Sequence, residues 1–362
     1  MRILIVNSDA FYEKENEYYI HKSTGSFVHK ITEFGLYITL FQFEVKLSES
    51  TVSNYALNTD KVSLCKVKRS KSKLISHLKA LFKLVCQIRD TDFLYLFYPN
   101  AFYYGIIIAI LFNKPYGIYL RGEKNIKSNL SRYFYRNAKF VTSISPAFTK
   151  LVTKSGGNGI TIKPMIDFDL LDILNKAIDN NPLNFNLLYI GRVEKDKGIF
   201  ELIDAIKILK DQNITNVKLN IIGNGVHYVK IKTIIDEYEL SSLINLHGVI
   251  TDKEQIKSFY LKSNIFVFPS HHEGFPRVLY EAMLFNVPIV TTFVGTIPYL
   301  MKDKFNCIKL EVNSPKSISD NILYLMKNTE IAKKIALNAT DTIIEYLKKN
   351  NLSHEEILLN NI

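Results

Sequence analysis

The sequence predicts an α/β chain built from two doubly wound parallel-sheet domains, and three observations carry that prediction. Its 362 residues suit two domains. Short β-rich apolar runs alternate with helical patterns along the whole length, as expected for parallel strands with helices on both faces. The apolar runs of the second half are nearly continuous, as in strands covered on both sides. With 47% hydrophobic and 22% charged residues the chain can bury a full core, which excludes a disordered polypeptide.

In order, the first half offers strands at 2–7, 92–98, 116–121 and 140–145. The second half offers strands at 185–190, 218–222, 244–247, 265–269, 288–291 and 307–311. Helical patterns cover 198–210, 230–238 and 253–262. Pro164, Pro182 and the run Asp179-Asn180-Asn181 mark a linker. The expected division is a domain at 1–165, a linker at 166–184 and a domain at 185–344. Ligands are expected in a cleft beyond the strand ends. The start, Met1 to Asn7, reads as a strand and is too short for a signal peptide. No run reaches the length of about 20 apolar residues that a spanning helix needs. Cys65, Cys86 and Cys307 lie far apart and form neither a disulfide framework nor a zinc pattern, so a reducing cytoplasmic home is expected.

The net charge of +11 is unevenly spread. Residues 1–164 carry 24 basic against 11 acidic residues, whereas residues 165–362 carry 22 against 24. Nine basic residues and no acidic one fall within 61–89. From residue 74 the apolar positions Leu74, Ile75, Leu78, Leu81, Phe82, Val85 and Ile88 have helical spacing, with Lys79 and Lys83 on another face. Such a helix either packs on a sheet by its apolar stripe or docks on an anionic surface. Zinc-finger spacing, RNP-like aromatics and a helix-turn-helix are all missing, so the charge asymmetry favours an anionic membrane surface over nucleic acid.

The most informative stretch runs from Phe268 to Ala282. A strand ends at Pro269, a polar loop follows, and a helix starts near Pro276. Glu273 sits in the loop and Glu281 inside the helix, two carboxylates placed to hold different parts of one extended polyhydroxylated ligand. Singly, each is an ordinary helix-start or helix-surface charge. Arg192 and Lys197 lie on a second strand-to-helix loop and suit a diphosphate, the one as a planar fork and the other as a point charge. Gly223 and Gly225 form a third strand-to-helix turn where backbone can approach a ligand. A dinucleotide fingerprint and a Walker-type phosphate loop are absent.

Residues 184–311 resemble the nucleotide-binding half of retaining glycosyltransferases of the GT-B fold, family 4. Glu273 to Glu281 matches that family's E-x7-E motif, with Gly274-Phe275-Pro276 inside it. Arg192 and Lys197 match its strand-loop cations, and 265–270 its strand ending in Pro-Ser. The first half is similar more loosely, at Gly25-Ser26, at 143–145 and at 164–167. In this family the final helix commonly crosses back to the first domain, and the resemblance implies that a helix at about 345–362 does so here. The resemblance implies that Glu281 binds the ribose and Glu273 touches the donor sugar. Arg192 and Lys197 hold the diphosphate as it leaves. Gly25 lets backbone approach the phosphates, and Gly274, Phe275 and Pro276 line the sugar. Base choice rests on the backbone near Gly248 and Val249. No metal or other cofactor is implied. Three positions depart from the family pattern. Tyr299 stands for an acid and Cys307 for a glycine. At 119–123, where many members carry a histidine, the sequence reads Tyr-Leu-Arg-Gly-Glu. Arg121 or Glu123 there either serves the acceptor or phosphate side or forms an ordinary ion pair.

The expected activity is retaining transfer of a hexose-type sugar from a nucleotide-diphosphate sugar to a saccharide acceptor. The basic first half points to a lipid-linked acceptor at the inner face of the cell membrane, in bacterial surface-polysaccharide assembly. The alternatives are a GT-B epimerase, a sugar phosphorylase, or a non-catalytic sugar-nucleotide-binding protein.

Overall fold

The computed structural model describes residues 1–362 except 46–52, 59, 69–71, 123–124, 165, 167, 169–184, 275 and 350–351, and the side chains of 53, 54 and 73. The chain forms two compact units, Met1–Met165 with Asn350–Ile362, and Ile166–Lys349. Glu123, Phe275 and most of the expected linker lie outside the described residues.

The first unit contains β1 (Arg2–Lys14), β2 (Glu17–His21), α1 (Lys22–Glu33), β3 (Tyr37–Glu44), β4 (Ser53–Ala56), β5 (Val62–Lys68) and α2 (Lys73–Arg89). Then come β6 (Phe93–Tyr98), α3 (Tyr104–Leu111), β7 (Tyr116–Leu120), α4 (Asn129–Asn137), β8 (Phe140–Ser143), α5 (Pro146–Lys154) and β9 (Gly159–Thr161). Strands β5-β3-β1-β6-β7-β8-β9 run parallel, and β2 with β4 extends the far end of β1 as an antiparallel flap. Alternate side chains of the central strands go to opposite faces. Leu4, Val6, Leu94, Leu96 and Ile118 meet α2 to α5 in one core. Tyr95, Phe97 and Tyr119 turn to the other face, where they meet Phe27 of α1 and His354.

The second unit contains β10 (Phe185–Ile190), α6 (Ile199–Asp211), β11 (Val217–Ile222), α7 (Tyr228–Glu237), β12 (Ile244–Gly248), α8 (Lys253–Lys262) and β13 (Ile265–Phe268). It continues with α9 (Arg277–Leu284), β14 (Ile289–Thr292), α10 (Ile297–Leu300), β15 (Ile308–Leu310), α11 (Pro315–Lys327) and α12 (Thr329–Lys349). Its six strands are all parallel, in the order β12-β11-β10-β13-β14-β15. One core takes Leu187, Tyr189, Leu219 and Val267, and the other Leu188, Phe266 and Phe268. The direction of winding reverses between β10 and β13, and their carboxyl ends flank the crevice where such sheets take ligands.

Three expectations need correction. First, β1 does not stop at Asn7. It bulges between Val6 and Ala10 and runs on into the flap, so β2, β3, β4 and β5 add to the strands read from the sequence. Second, α12 is unbroken through Lys349, and Ile343 and Leu347 lie in the second unit's core. The return to the first unit begins after residue 349, not 344, and is made by α13 (His354–Asn361). Ser353 caps this helix with a reciprocal bond to Glu356.

Third, of the two readings open for α2, packing on the sheet by the apolar stripe holds only at Ile88 and, in part, Val85. Its core face is Ser76, Ala80, Leu84 and Ile88, spaced four apart. The other stripe residues, Leu74, Ile75, Leu78, Leu81 and Phe82, are exposed. Small residues at 76 and 80 let the helix lie close to the sheet, and large ones cannot share that space.

Candidate functional site

In the second unit the expected residues converge at the carboxyl ends of β10 and β13. After β10 the chain makes a short 3-10 turn, Lys195–Lys197, and Gly198 ends it in a left-handed conformation with φ +68°. A Cβ on Gly198 would lie 2.1 Å from the Pro269 carbonyl oxygen, so only glycine lets this turn lie on the loop after β13. The Asp196 carbonyl accepts from the His271 N–H at 2.8 Å and ties the two loops together.

That contact places the Lys197 ammonium 2.7 Å from Glu273 Oε1 and 3.1 Å from the His272 carbonyl. Ser270, fully buried, donates to the same Glu273 oxygen at 2.7 Å. Glu273 itself is only 9% exposed. A nearly buried carboxylate thus meets a cation and a hydroxyl, as desolvated charge requires. Beneath it lies Tyr189, whose phenol burial pushes far up, with the Glu273 carboxylate adding to the effect. This phenol stays protonated and donates to the Arg192 carbonyl at 2.8 Å. The Arg192 guanidinium is itself more than half exposed and is steadied by Glu194 at 2.5 Å.

Residues without an assigned role in the sequence complete the loop. Gly295 has φ +59°, and a Cβ there would fall 1.7 Å from the Glu273 carbonyl oxygen. Thr296 donates to the Gly274 carbonyl and Thr292 to the Ser270 carbonyl, each at 2.5 Å. The β14–α10 segment therefore clamps the backbone that carries Glu273. The signal available in the sequence was the Gly295-Thr296 pair, which reads as an ordinary turn until the partner loop is known.

Glu281 stands on α9 and accepts from the buried Tyr260 hydroxyl at 2.9 Å. Pro276 is the N-cap of α9 rather than its first helical residue, so the helix starts one residue later than expected. Val249 follows β12 and is exposed. Gly223 and Gly225 have a use inside the fold itself. Their Cβ positions would strike the Gly191 and Val193 carbonyl oxygens at 1.8 and 2.4 Å. These glycines let the β11 loop pack on the Arg192 loop. Tyr299 is exposed, whereas Cys307 is fully buried, with its thiol pushed up to about 12 by burial and by Asp303.

In the first unit Arg121 pairs with Asp9 through two bonds of 2.9 and 3.2 Å. Burial works to raise the Asp9 carboxyl, but Arg121 outweighs it and holds the group below its usual range. Thr24 also donates to Asp9, and Asn7 accepts from Gln42 at 2.6 Å. Of the two roles open to Arg121, the ion pair at a strand end is present. Gly25 is not an open approach for phosphate. It lies inside α1, which begins at Lys22, and a Cβ would sit 2.2 Å from the Tyr55 ring of β4. Among the described residues no three His, Cys, Asp or Glu side chains gather as a metal site.

A paired lysine and glutamate stand at a parallel-sheet switch point, with an exposed arginine on the same loop as the lysine. Residues 172–342 match the family model for glycosyl transferases group 1. The chain is 30% identical to the capsular polysaccharide biosynthesis glycosyltransferase CapM of Staphylococcus aureus over 293 residues, 73% of this chain and 76% of that protein. The chain belongs to the glycosyl transferases group 1 family. It is also 27% identical to an uncharacterised glycosyltransferase of Methanocaldococcus jannaschii, over 74% of this chain and 75% of that one. Among solved structures, Anabaena HepE in complex with UDP shares the fold across the full length of both chains, with a TM-score of 0.67 at 18% identity. The fold of this glycosyltransferase is GT-B, and the matched family region contains the Lys197, Ser270 and Glu273 cluster as well as Glu281.

Proposed function

We propose that this glycosyltransferase is a retaining, metal-independent family 4 enzyme. It moves a hexose-type sugar from a nucleotide-diphosphate sugar to a lipid-linked saccharide in surface-polysaccharide assembly. The observation that carries the reading is the Lys197–Glu273–Ser270 cluster at the β10/β13 switch point, with Arg192 on the same loop as Lys197 and Glu281 on the helix that follows Glu273. CapM, a capsular polysaccharide enzyme, and HepE, crystallised with UDP-glucose, support the class of product and donor.

Without donor, Lys197 is neutralised by Glu273. A diphosphate arriving beside them engages Lys197 and the exposed Arg192, while Glu273 turns its acceptor capacity to sugar hydroxyls. Glu281 takes the ribose hydroxyls. The bond from the anomeric carbon to the diphosphate breaks, and the two cations stabilise the charge that develops on the leaving oxygen. The acceptor oxygen bonds to the anomeric carbon on the same face, and its proton passes to the departing diphosphate.

The test is thermal stabilisation by UDP, GDP, ADP and CMP. A nucleotide at 100 times its dissociation constant adds about 2.7 kcal/mol. The diagnostic variant is Glu281→Gln, not alanine, because alanine would take the 2.9 Å acceptor from the buried Tyr260 hydroxyl and leave it the longer bond to the Val278 carbonyl at 3.3 Å. One diphosphonucleoside should stabilise the native protein and fail on Glu281→Gln. Stabilisation by none of them, or equal stabilisation of both proteins, would remove the donor site from these residues. The anomeric configuration of the product, read by NMR, tests retention.

A further inference from the structure

The outer face of α2 is apolar where a solvated helix would be polar. Leu74 is 70% exposed, Leu78 56% and Phe82 73%, with Ile75 and Leu81 beside them. The stripe lies opposite the buried face at Ser76, Ala80, Leu84 and Ile88. It does not end with the helix. α3 lies on the same side of the sheet and packs on α2: the Cβ position of Gly105 comes within 4 Å of Leu84 and Ile88, and His77 meets Tyr104 edge to face. Its outward residues Ile107 and Leu111 are exposed as well, Leu111 at 77%. A contiguous apolar surface of this kind marks an interaction site.

The surrounding charge selects the occupant. Lys79, Lys83 and Arg89 are exposed on the same helix, within the stretch 61–89 that holds nine basic and no acidic residues. A second copy would bring the same basic field against itself. The groove beside the stripe, between Phe82, Cys86 and β5, is edged by Lys66 and Lys83 and so carries the same positive charge. We propose that the α2–α3 face docks on an anionic bilayer, with the Leu74, Leu78 and Phe82 stripe inserted among the acyl chains and the lysines among the headgroups. Charge alone predicts attachment that salt removes. An inserted stripe adds attachment that survives salt. The purpose of this docking rests on the lipid-linked acceptor reading, but the docking itself needs neither donor nor acceptor.

The experiment is sedimentation of the full chain with phosphatidylcholine vesicles carrying about 30% phosphatidylserine, at low salt and at roughly 0.5 M NaCl, where screening shortens the reach of charge to a few ångströms. Native protein and a Leu78→Glu/Phe82→Glu double variant are compared. Nucleotide stabilisation is measured on both, as a check that the donor site is intact. The native protein should bind and keep part of its binding at high salt, and the variant should bind about tenfold more weakly or less, with unchanged nucleotide response. Three outcomes would overturn the proposal. One is binding that salt abolishes and the variant retains. Another is no vesicle binding by the native protein. The third is a native dimer that the variant converts to monomer, which would assign the face to self-association. A failed nucleotide response with intact vesicle binding would count against the donor site and leave the docking face standing.

Discussion

The two units share a winding plan and differ in how they finish their strand ends. In the second unit the loops after β10, β11 and β13 are fixed by backbone lying on backbone, with Gly198, Gly223, Gly225 and Gly295 at the contacts. In the first unit the equivalent ends are filled by side chains. Asp9 pairs with Arg121, Asn7 with Gln42, and the Tyr55 ring rests on Gly25. A ring can turn aside, and a peptide plane locked in a sheet loop cannot. The same change should therefore cost more in the second unit.

The sharpest form of that contrast is alanine at two glycines. Gly295→Ala drives a methyl into the Glu273 carbonyl from a left-handed conformation, and should cost about 3 kcal/mol or more and abolish nucleotide stabilisation. Gly25→Ala meets only the Tyr55 ring and should cost about 1–3 kcal/mol, leaving the nucleotide response in place. Denaturant unfolding of both variants checks the order, and equal costs would end the contrast.

Next in size are the cations. Lys197→Ala should lower transfer by about 10²–10³-fold, since it removes a leaving-group partner and leaves a nearly buried Glu273 unpaired. Arg121→Ala disturbs an ion pair in the other unit and should leave nucleotide binding unchanged. If Arg121→Ala weakens nucleotide binding as much as Lys197→Ala, the division of roles between the units is wrong.

Smaller still is a pH effect confined to the first unit. Burial pushes the His354 imidazole down to about 3 from an ordinary value of 6.5. Between those values the unfolded chain holds a proton that the folded chain refuses. The stability due to neutral His354 is thus whole above pH 6.5 and is lost as pH falls toward 3, by up to a few kcal/mol. Unfolding followed from pH 7 to 4 should show that slope, and His354→Phe should flatten it.

How much of this was legible beforehand varied with the physics that each part relies on. Strands such as Phe93–Tyr98 and Ile265–Phe268 are buried along their whole length and announce themselves as apolar runs. β5 did not, because its lysines merged with the basic stretch around it. The glutamate and cation positions were readable because motif spacing maps directly onto one loop and one helix. Gly295, Thr292 and Thr296 were not, because their task is defined by a loop about 20 residues away in sequence. Glu281 was readable as a ligand group, but its bond to Tyr260 was not. The packing face of α2 was legible only at its end, at Ile88. Periodicity identifies an apolar face but does not say whether a second, smaller face of Ser76 and Ala80 is the one the sheet admits.

The last helix has a consequence for how the protein is made. His354 stacks on Phe27 at 4.1 Å, lies 2.5 Å from the Tyr95 hydroxyl, and fills an aromatic nest whose other walls were translated some 260 positions earlier. Lys30 and Glu355 fasten the outside at 2.6 Å. The first unit to leave the ribosome is therefore the last that can close, and it waits with an open socket while the whole of the second unit is synthesised and folds. Any truncation, ribosomal stall or protease cut within the final dozen residues would strike the opposite end of the chain from where it occurs.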